Sequence, residues 1–374
     1  MDPTCRRGVV DVLMNKCKLM GVVGLAVLLA ACGSDATGPN GSPIVVSYME
    51  GLSGFEARLD SLRVQLHIPA LGAAIVQDEE IAWSMGFGLA DVDEGRPATA
   101  QTSFHLASLT KTFASTIVMQ LVERGLVDLD DPVSDYGVDL TADGTVRVRH
   151  LLNHTSEGVP GTVYRYNGGR FAELDQVIRS ATGKRFGQLL VEEILQPLQL
   201  QHTAPNVLSF DFLLAGLDRD VFAANMASPY EWEDGRVVRA TYPSYFGTAG
   251  GLIASAEDMA RYSIAIDQGM FLEPATWDSV FTPARDPAGD VLPYALGWFI
   301  HMHEGIELQW HYGYWDANSS LIVRVPERGL AFVVLANTSM LSRPYGLGID
   351  SDVLRSDVAR LFIESFVTGD EPLP

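Results

Sequence analysis

The sequence predicts an α+β fold: one antiparallel sheet assembled from both ends of the chain, with a mainly helical region inserted between them. Three observations carry that expectation. Strand-like text lies near both ends, helical spacing and long loops fill the middle, and strands and helices do not alternate as repeated βαβ units require. In chain order, residues 55–66 (FEARLDSLRVQL) space their apolar side chains for a helix. Residues 71–77 and 81–87 read as two strands around an acidic turn. From about 108 to 290 helical patterns and long loops dominate. Strand text returns at 298–303, 307–312, 319–325 and 330–336, with Glu327-Arg328-Gly329 as the last hairpin turn. Residues 353–366 close the chain as an amphipathic helix, and no internal repeat is present. The expected body is therefore 51–370, with 51–107 and 291–370 as its α/β part and 108–290 as its helical part.

The composition excludes several classes. The chain has 374 residues, 26 Lys+Arg against 47 Asp+Glu, a net charge of −21 and 47% apolar residues. That is globular composition, and a surface this acidic repels phosphate backbones, so nucleic acid is excluded as a partner. Three Cys, two of them within the first seventeen residues, cannot build a disulfide framework.

Residues 1–31 read as an exported protein's leader. Lys16 and Lys18 precede a short apolar run over 19–31, below the roughly 20 residues a spanning helix needs. Leu29-Ala30-Ala31-Cys32 resembles a bacterial lipobox, in which Cys32 becomes the lipidated N-terminus, and Met14 is an alternative start. Residues 32–50 are expected to be a flexible tether rich in Gly, Ser, Pro and Asn, reaching roughly 20 Å. The expected location is the cell envelope, with membrane contact through the lipid anchor alone.

One tetrapeptide carries most of the chemistry. The chain has four Lys, of which only Lys111 and Lys184 lie beyond the leader. Lys111 closes Ser108-Leu109-Thr110-Lys111, and Ala114, Ile117, Val118, Leu121 and Val122 follow at helical spacing, with Gly125 as a stop. Residues three apart on a helix share a face, so hydroxyl and amine point the same way. Ser108 falls at the helix start, where the dipole favours a developing alkoxide. A lysine desolvated by an apolar helix loses its proton more readily and can accept one from serine. Chance predicts roughly 0.1 such matches in a chain of this length.

The segment 104–111 (FHLASLTK) resembles the nucleophile segment of the serine β-lactamase superfamily, which includes class C β-lactamases, D-Ala-D-Ala carboxypeptidases, D-aminopeptidases and family VIII esterases. Residues 148–156 (VRHLLNHTS) and 250–259 (GGLIASAEDM) resemble later landmarks in the family's order, and Ser255 to Asp258 has capping-box spacing. The resemblance, from about 55 to 340, implies a β-lactamase/transpeptidase-like fold.

It also implies a second and a third motif. Matching without gaps from Pro160 to Thr182-Gly183 puts Tyr166 on the Tyr of Tyr-x-Asn and Gly168 on its Asn, with Tyr164 as the alternative phenol and Asn167 as a displaced amide. Tyr166 is then the phenol that relays the Ser108 proton together with Lys111. The third motif is His311-Tyr312-Gly313. By resemblance His311 contacts a substrate carboxylate or carbonyl or tunes the Ser-Lys-Tyr network, and Gly313 lets substrate approach the backbone. The backbone N–H groups of Ser108 and Tyr314 form the oxyanion hole.

Competing constellations are poor. The chain has no Gly-x-Ser-x-Gly and no His-Glu-x-x-His, His301 and His303 lack a third ligand at metal spacing, and Lys184 lacks phosphate-cradle glycines. The expectation is a serine hydrolase that forms an acyl-enzyme on a small-molecule or peptide substrate, of esterase or D-amino-acid peptidase type, with β-lactam hydrolysis as a side activity and no metal or organic cofactor. The competing expectation is a lipid-anchored penicillin-binding-like sensor that kept the fold and lost turnover, because Gly168 replaces the motif amide.

Overall fold

Strands from the two ends of the chain meet at the middle of one sheet. The first half contributes β1 (Ala70–Gln77), β2 (Glu80–Asp91) and β3 (Arg96–Pro97). The second half contributes β8 (Phe299–His303), β9 (Ile306–Trp315), β10 (Asn318–Val325) and β11 (Leu330–Ala336). Their order is β3-β2-β1-β11-β10-β9-β8, and every neighbouring pair is antiparallel. The central pair sets Leu71 opposite Ala336 and Ile75 opposite Phe332. This computed structural model describes residues 44–369, with side chains from residue 51 onward. Among the described residues, those from Val45 onward form one compact unit. The expected leader and the lipidation site Cys32 lie outside the described residues.

The sheet is covered on both faces, which is why β11 reads as an unbroken apolar run. Successive side chains of a strand point to opposite faces. Ala331, Val333 and Leu335 enter one core with Ala70, Ala74 and Val76, whereas Phe332, Val334 and Ala336 enter the other with Leu71, Ala73 and Ile75. The second core is closed by the terminal helices α1 (Ile44–Gln65) and α11 (Asp357–Phe362), through Phe55, Leu59 and Phe362. The first core receives most of the inserted region, with α2 (Thr110–Glu123), α3 (Val148–Leu152), α4 (Gly168–Ala172), α5 (Leu174–Thr182), α6 (Phe186–Leu190), α8 (Ala256–Asp267) and α9 (Pro274–Phe281). Between them α7 (Arg219–Asn225) packs through Phe222 in a smaller cluster with Ala204, Phe212, Met226 and Ile253. A short α10 (Leu347–Asp350) follows the sheet. Among the described residues no helix is long and apolar enough to cross a membrane.

Helix α2 is buried on every side from Thr110 to Leu121, the signature of a helix inside a core. Its buried hydroxyls find partners inside the core: the Thr112 hydroxyl donates to the Leu109 carbonyl at 2.9 Å, and Thr116 and Tyr262 share a hydrogen at 2.8 Å. The nucleophile segment therefore enters the centre of the molecule.

Several elements depart from expectation. Helix α1 begins at Ile44, so the backbone of residues 44–50, assigned to the tether, is helical. The spacing of Val45, Met49, Leu52 and Phe55 extends the helical pattern backward. A hairpin of β5 (Tyr230–Glu233) and β6 (Arg236–Arg239) stands in the region expected to be helices and loops. Its turn is Asp234-Gly235, both at positive φ (48° and 79°), a strong short-range hairpin signal that the polar flanks hide. The closing helix is broken: Val353–Arg355 is a 3₁₀ turn, and Ser356 starts α11 by accepting the Ala359 N–H at 3.3 Å. The capping box at α8 is half made. The Ser255 hydroxyl accepts the Asp258 N–H at 3.1 Å, but the Asp258 carboxylate takes the His202 N–H at 2.8 Å and the Thr203 hydroxyl at 2.9 Å.

A buried cation ties α8 to the sheet. Arg324 on β10 is 2% exposed, pairs with Asp267 at the end of α8, and donates to Gln309 at 2.7 Å and Ser263 at 3.1 Å. Asp267→Asn leaves that guanidinium charged and less compensated, and because Asp267 is partly exposed the expected loss is about 2–3 kcal/mol rather than the full cost of an orphaned buried charge. Urea denaturation read by circular dichroism checks it.

Candidate active site

The turn that carries Ser108 is fastened from three sides. Its approach, β4 (Phe104–His105), pairs with β7 (Ile253–Ala254). The Leu106 N–H donates to the Leu252 carbonyl at 2.8 Å, and the Leu106 carbonyl accepts from the Ser320 hydroxyl at 2.7 Å. Ala107 is held at φ +48°, a left-handed conformation that costs a residue with a β-carbon about 1 kcal/mol. Its N–H donates to His105 Nδ1 at 3.1 Å, and its carbonyl accepts from the Thr110 hydroxyl at 2.7 Å. Ser108 sits on the 3₁₀ turn Ala107–Leu109 that runs into α2, partly exposed at the wall of an open cleft of about 390 Å³.

Lys111 is fully buried one turn further on. Its Nζ lies 2.9 Å from Ser108 Oγ and 2.7 Å from the Ala249 carbonyl oxygen. Burial lowers its pKa from the usual lysine range to about 7. An amine that is substantially neutral near pH 7 and touches a serine hydroxyl can take that hydroxyl's proton. The Tyr166 ring centroid is 5.1 Å from Nζ. The Tyr166 hydroxyl is buried without a hydrogen-bond partner; burial pushes it well above the ordinary tyrosine range, and the neighbouring Ser108 side chain pulls weakly the other way. Tyr164, the alternative phenol, points away and donates to the Gly348 carbonyl at 3.0 Å.

The remaining expected residues divide. Tyr314, nearly half exposed, lines the cleft with Ser108 and Lys111. Gly168 also lines it, and a β-carbon there would stand 3.8 Å from Lys111 Nζ, so the motif amide's place beside the lysine is left open. Asn167 does not fill it. Its side-chain oxygen caps α4 by accepting the Arg170 N–H at 3.0 Å, and its amide donates to Glu157 at 2.6 Å, which turns the side chain away from the serine.

His311 is fully buried and does not line the cleft, so it is neither a solvated strand histidine nor a direct substrate contact. Its Nδ1 lies 2.7 Å from the Tyr312 carbonyl and its Nε2 2.8 Å from the Tyr294 hydroxyl. Nδ1 therefore donates to the carbonyl and Nε2 accepts the phenol's hydrogen. Burial and the nearby Lys111 hold its pKa well below the usual histidine value. Gly313 likewise serves packing rather than substrate approach. A β-carbon there would come within 2.0 Å of the Leu106 carbonyl and 2.3 Å of the Ser320 hydroxyl. Its absence lets β9 press against the turn that carries Ser108.

Motif spacing did not single out His154. This residue, at φ +56°, accepts the backbone N–H on either side of Tyr166: its carbonyl takes Arg165 N–H at 2.8 Å and its Nδ1 takes Asn167 N–H at 3.2 Å. Its ring lies 4.3 Å from the Tyr166 ring, it is buried, and its Nε2 has no partner. Burial, then the Lys111 charge, keep it neutral. The only advance signal was its place in the segment 148–156. Tyr245, Trp315 and Asp316, which complete the cleft wall, carried none.

The family model described as Beta-lactamase matches residues 52–347. Penicillin-binding protein 4* of Bacillus subtilis (strain 168) is 24% identical over 301 residues, covering 69% of this chain and 66% of that protein. The chain spans 54% to 66% of the length of the first curated relatives it matches. Among solved structures, the octameric penicillin-binding protein homologue from Pyrococcus abyssi superposes with TM-score 0.70 at 22% identity, over 81% of this chain and 77% of that one. EstCE1, described as a hydrolase with promiscuous acyltransferase activity, superposes with TM-score 0.66 at 16% identity, over 85% and 99% of the respective chains. The fold is thus the β-lactamase/transpeptidase-like one.

Two measurements follow from the geometry. Folded Lys111 titrates near 7 and an unfolded lysine near 10.5, so between those values the unfolded chain holds a proton the folded chain lacks. This penalty is complete below pH 7 and is relieved as pH rises toward 10.5. The stability of Lys111→Met relative to wild type is therefore expected to fall between pH 7 and 10 in parallel denaturation curves. His154→Ala, which unclamps both flanks of Tyr166, is expected to lower kcat by roughly tenfold to a hundredfold with little change in KM, measured by steady-state kinetics on an activated ester.

Proposed function

The chain belongs to the beta-lactamase family, and on that premise we propose that it is a serine hydrolase that cleaves esters, or amides of D-amino acids, through an acyl-enzyme on Ser108. The observation that carries the reading is the 2.9 Å contact between Ser108 Oγ and a buried Lys111 whose pKa is lowered to about 7. In the first step Ser108 Oγ bonds to the substrate carbonyl carbon as its proton passes to Lys111 Nζ. The carbonyl π pair moves to oxygen, where the N–H groups of Ser108 and Tyr314 receive it. Collapse of the adduct expels the alkoxide or amine, which takes the proton relayed by Lys111 and Tyr166. Water then attacks the acyl-enzyme, and its proton returns by the same route to Ser108.

The wall of the cleft supports uncharged acyl groups over carboxylate-bearing ones. Lys111 is its sole basic side chain and is engaged with Ser108; Asp316 is acidic, and Gly168, Gly169, Ala172, Tyr245, Tyr314 and Trp315 complete most of the remainder. With His311 buried and kept neutral, a substrate carboxylate meets no fixed cation there. A penicillin or a peptide ending in a free carboxylate is thereby disfavoured relative to a neutral ester. Gly168, which leaves the flank of Lys111 open, is the observation that favours the competing reading, a binding protein that acylates and does not turn over.

A panel of p-nitrophenyl esters, a D-amino-acid p-nitroanilide and nitrocefin, with intact mass measured over time, tests the proposal. Short-chain esters are expected to turn over fastest, with a transient adduct and a loss of at least about a thousandfold in Ser108→Ala. A permanent adduct favours the binding protein, and no adduct on folded protein defeats both readings.

A further inference from the structure

A second cavity, larger than the serine cleft, borders the loop that leads to Tyr166 at Gly161. It has a volume of about 520 Å³ and shares no wall residue with the Ser108 cleft. The two are linked through one segment: His154 turns toward Tyr166, while its neighbours Asn153 and Thr155 line the cavity.

The charged part of the cavity's wall is cationic. Arg149 and Arg285 both contribute to it, and no Asp or Glu does. Arg149 is tied through Nη2 to Asp130 at 2.7 Å, but its Nε is buried without a partner. Arg285, at the exposed rim, donates only to the Gly289 carbonyl at 2.8 Å and forms no ion pair among the described residues. His150 Nδ1 accepts the Arg147 N–H at 3.1 Å, so the ring's hydrogen is on Nε2. That nitrogen faces the cavity wall at Gly161, where a β-carbon would stand 3.3 Å from it. The Thr155 hydroxyl donates to Asn153 Oδ1 at 2.6 Å, which leaves the Asn153 amide hydrogens to give.

The electrostatics agree with the donor count. After burial, the charges of Arg149 and Arg147 are the next causes lowering the His150 pKa to about 4, against a smaller opposing effect of Asp130. A positive potential of this kind is unexpected on a chain of net charge −21. Ser279 and Thr282 also line the cavity, but their hydroxyls donate to the Ala275 carbonyl at 3.0 Å and the Asp278 carbonyl at 2.6 Å; the remaining wall is apolar, with Leu129 and Leu296 among its members. Arginine forks suit carboxylate geometry, and an apolar floor suits a hydrocarbon body better than a hydrated inorganic ion.

We propose that the cavity bounded by Arg149, His150, Asn153 and Arg285 is a binding site for a small organic carboxylate with a compact apolar body, separate from the serine cleft.

The test is calorimetric titration of isovalerate, and of isovaleramide as its uncharged counterpart, into protein whose Ser108 has been capped with a fluorophosphonate. Saturable binding of the acid to one site is expected, with much weaker binding of the amide. Arg285→Gln, at an exposed position that does not threaten folding, is expected to weaken binding by about tenfold, as is Arg149→Gln. Absence of saturable binding, equal binding of the amide, or unchanged affinity in Arg285→Gln overturns the proposal. Binding that uncapped protein shows and capped protein lacks overturns it as well, by assigning the acid to the serine cleft. Should the cap fail to attach, the hydrolase reading fails on its own, and the same titrations on Ser108→Ala decide this site independently.

Discussion

The site depends on an amine kept out of water. Lys111 is the one basic side chain in the serine cleft, and full burial inside α2's core, rather than any neighbouring cation, lowers its pKa to about 7. Desolvation penalises the charged form of a base, so the same packing that builds the core leaves an amine able to accept a proton. Two contacts set its direction: the Ala249 carbonyl at 2.7 Å and the Ser108 hydroxyl at 2.9 Å. If water filled the ground around Nζ, the amine would return toward the ordinary lysine range and would seldom be free to accept the serine proton.

Keeping water out requires the surrounding elements to close tightly, and glycine marks the places where they do. At Gly313 the β9 backbone comes so near the Leu106 carbonyl that no β-carbon fits. At Gly72 the edge of the Phe104 ring occupies the space a side chain would need, with 2.8 Å to a built β-carbon. Both positions press the sheet against the turn carrying Ser108. The strained Ala107 is held there by hydrogen bonds to both its N–H and its carbonyl. His154 does similar work on the opposite wall, gripping the chain before and after Tyr166.

Much of this was legible in the residues. The spacing of Ser108 and Lys111, the apolar run Leu330–Ala336 and the two-ended sheet all follow from local periodicity, and the strand boundaries agree within a few residues. Local rules failed where a side chain had several partners to choose from. Asn167 reads as a displaced catalytic amide, yet a helix start three residues before Arg170 offers it a backbone N–H, and capping wins. His311 reads as a group facing substrate, yet Tyr294, from a segment seventeen residues away, supplies the phenol that completes its buried bonding. The Asp234-Gly235 hairpin is hidden in the sequence because its strands, with Glu231, Glu233, Arg236 and Arg239, are too charged to show an apolar alternation.

By itself the sequence determined the class of fold and which groups are candidates for the chemistry, because helical and strand periods and a Ser-x-x-Lys spacing are set by neighbours along the chain. Only the tertiary structure decided what those groups are able to do. The burial that lowers the Lys111 pKa, the placement of Tyr166 rather than Tyr164 beside Lys111, the open space at Gly168 and the withdrawal of His311 from the cleft all arise from contacts between distant segments. Desolvation and hydrogen-bond competition are properties of the packed interior, and they come into being only when those segments meet.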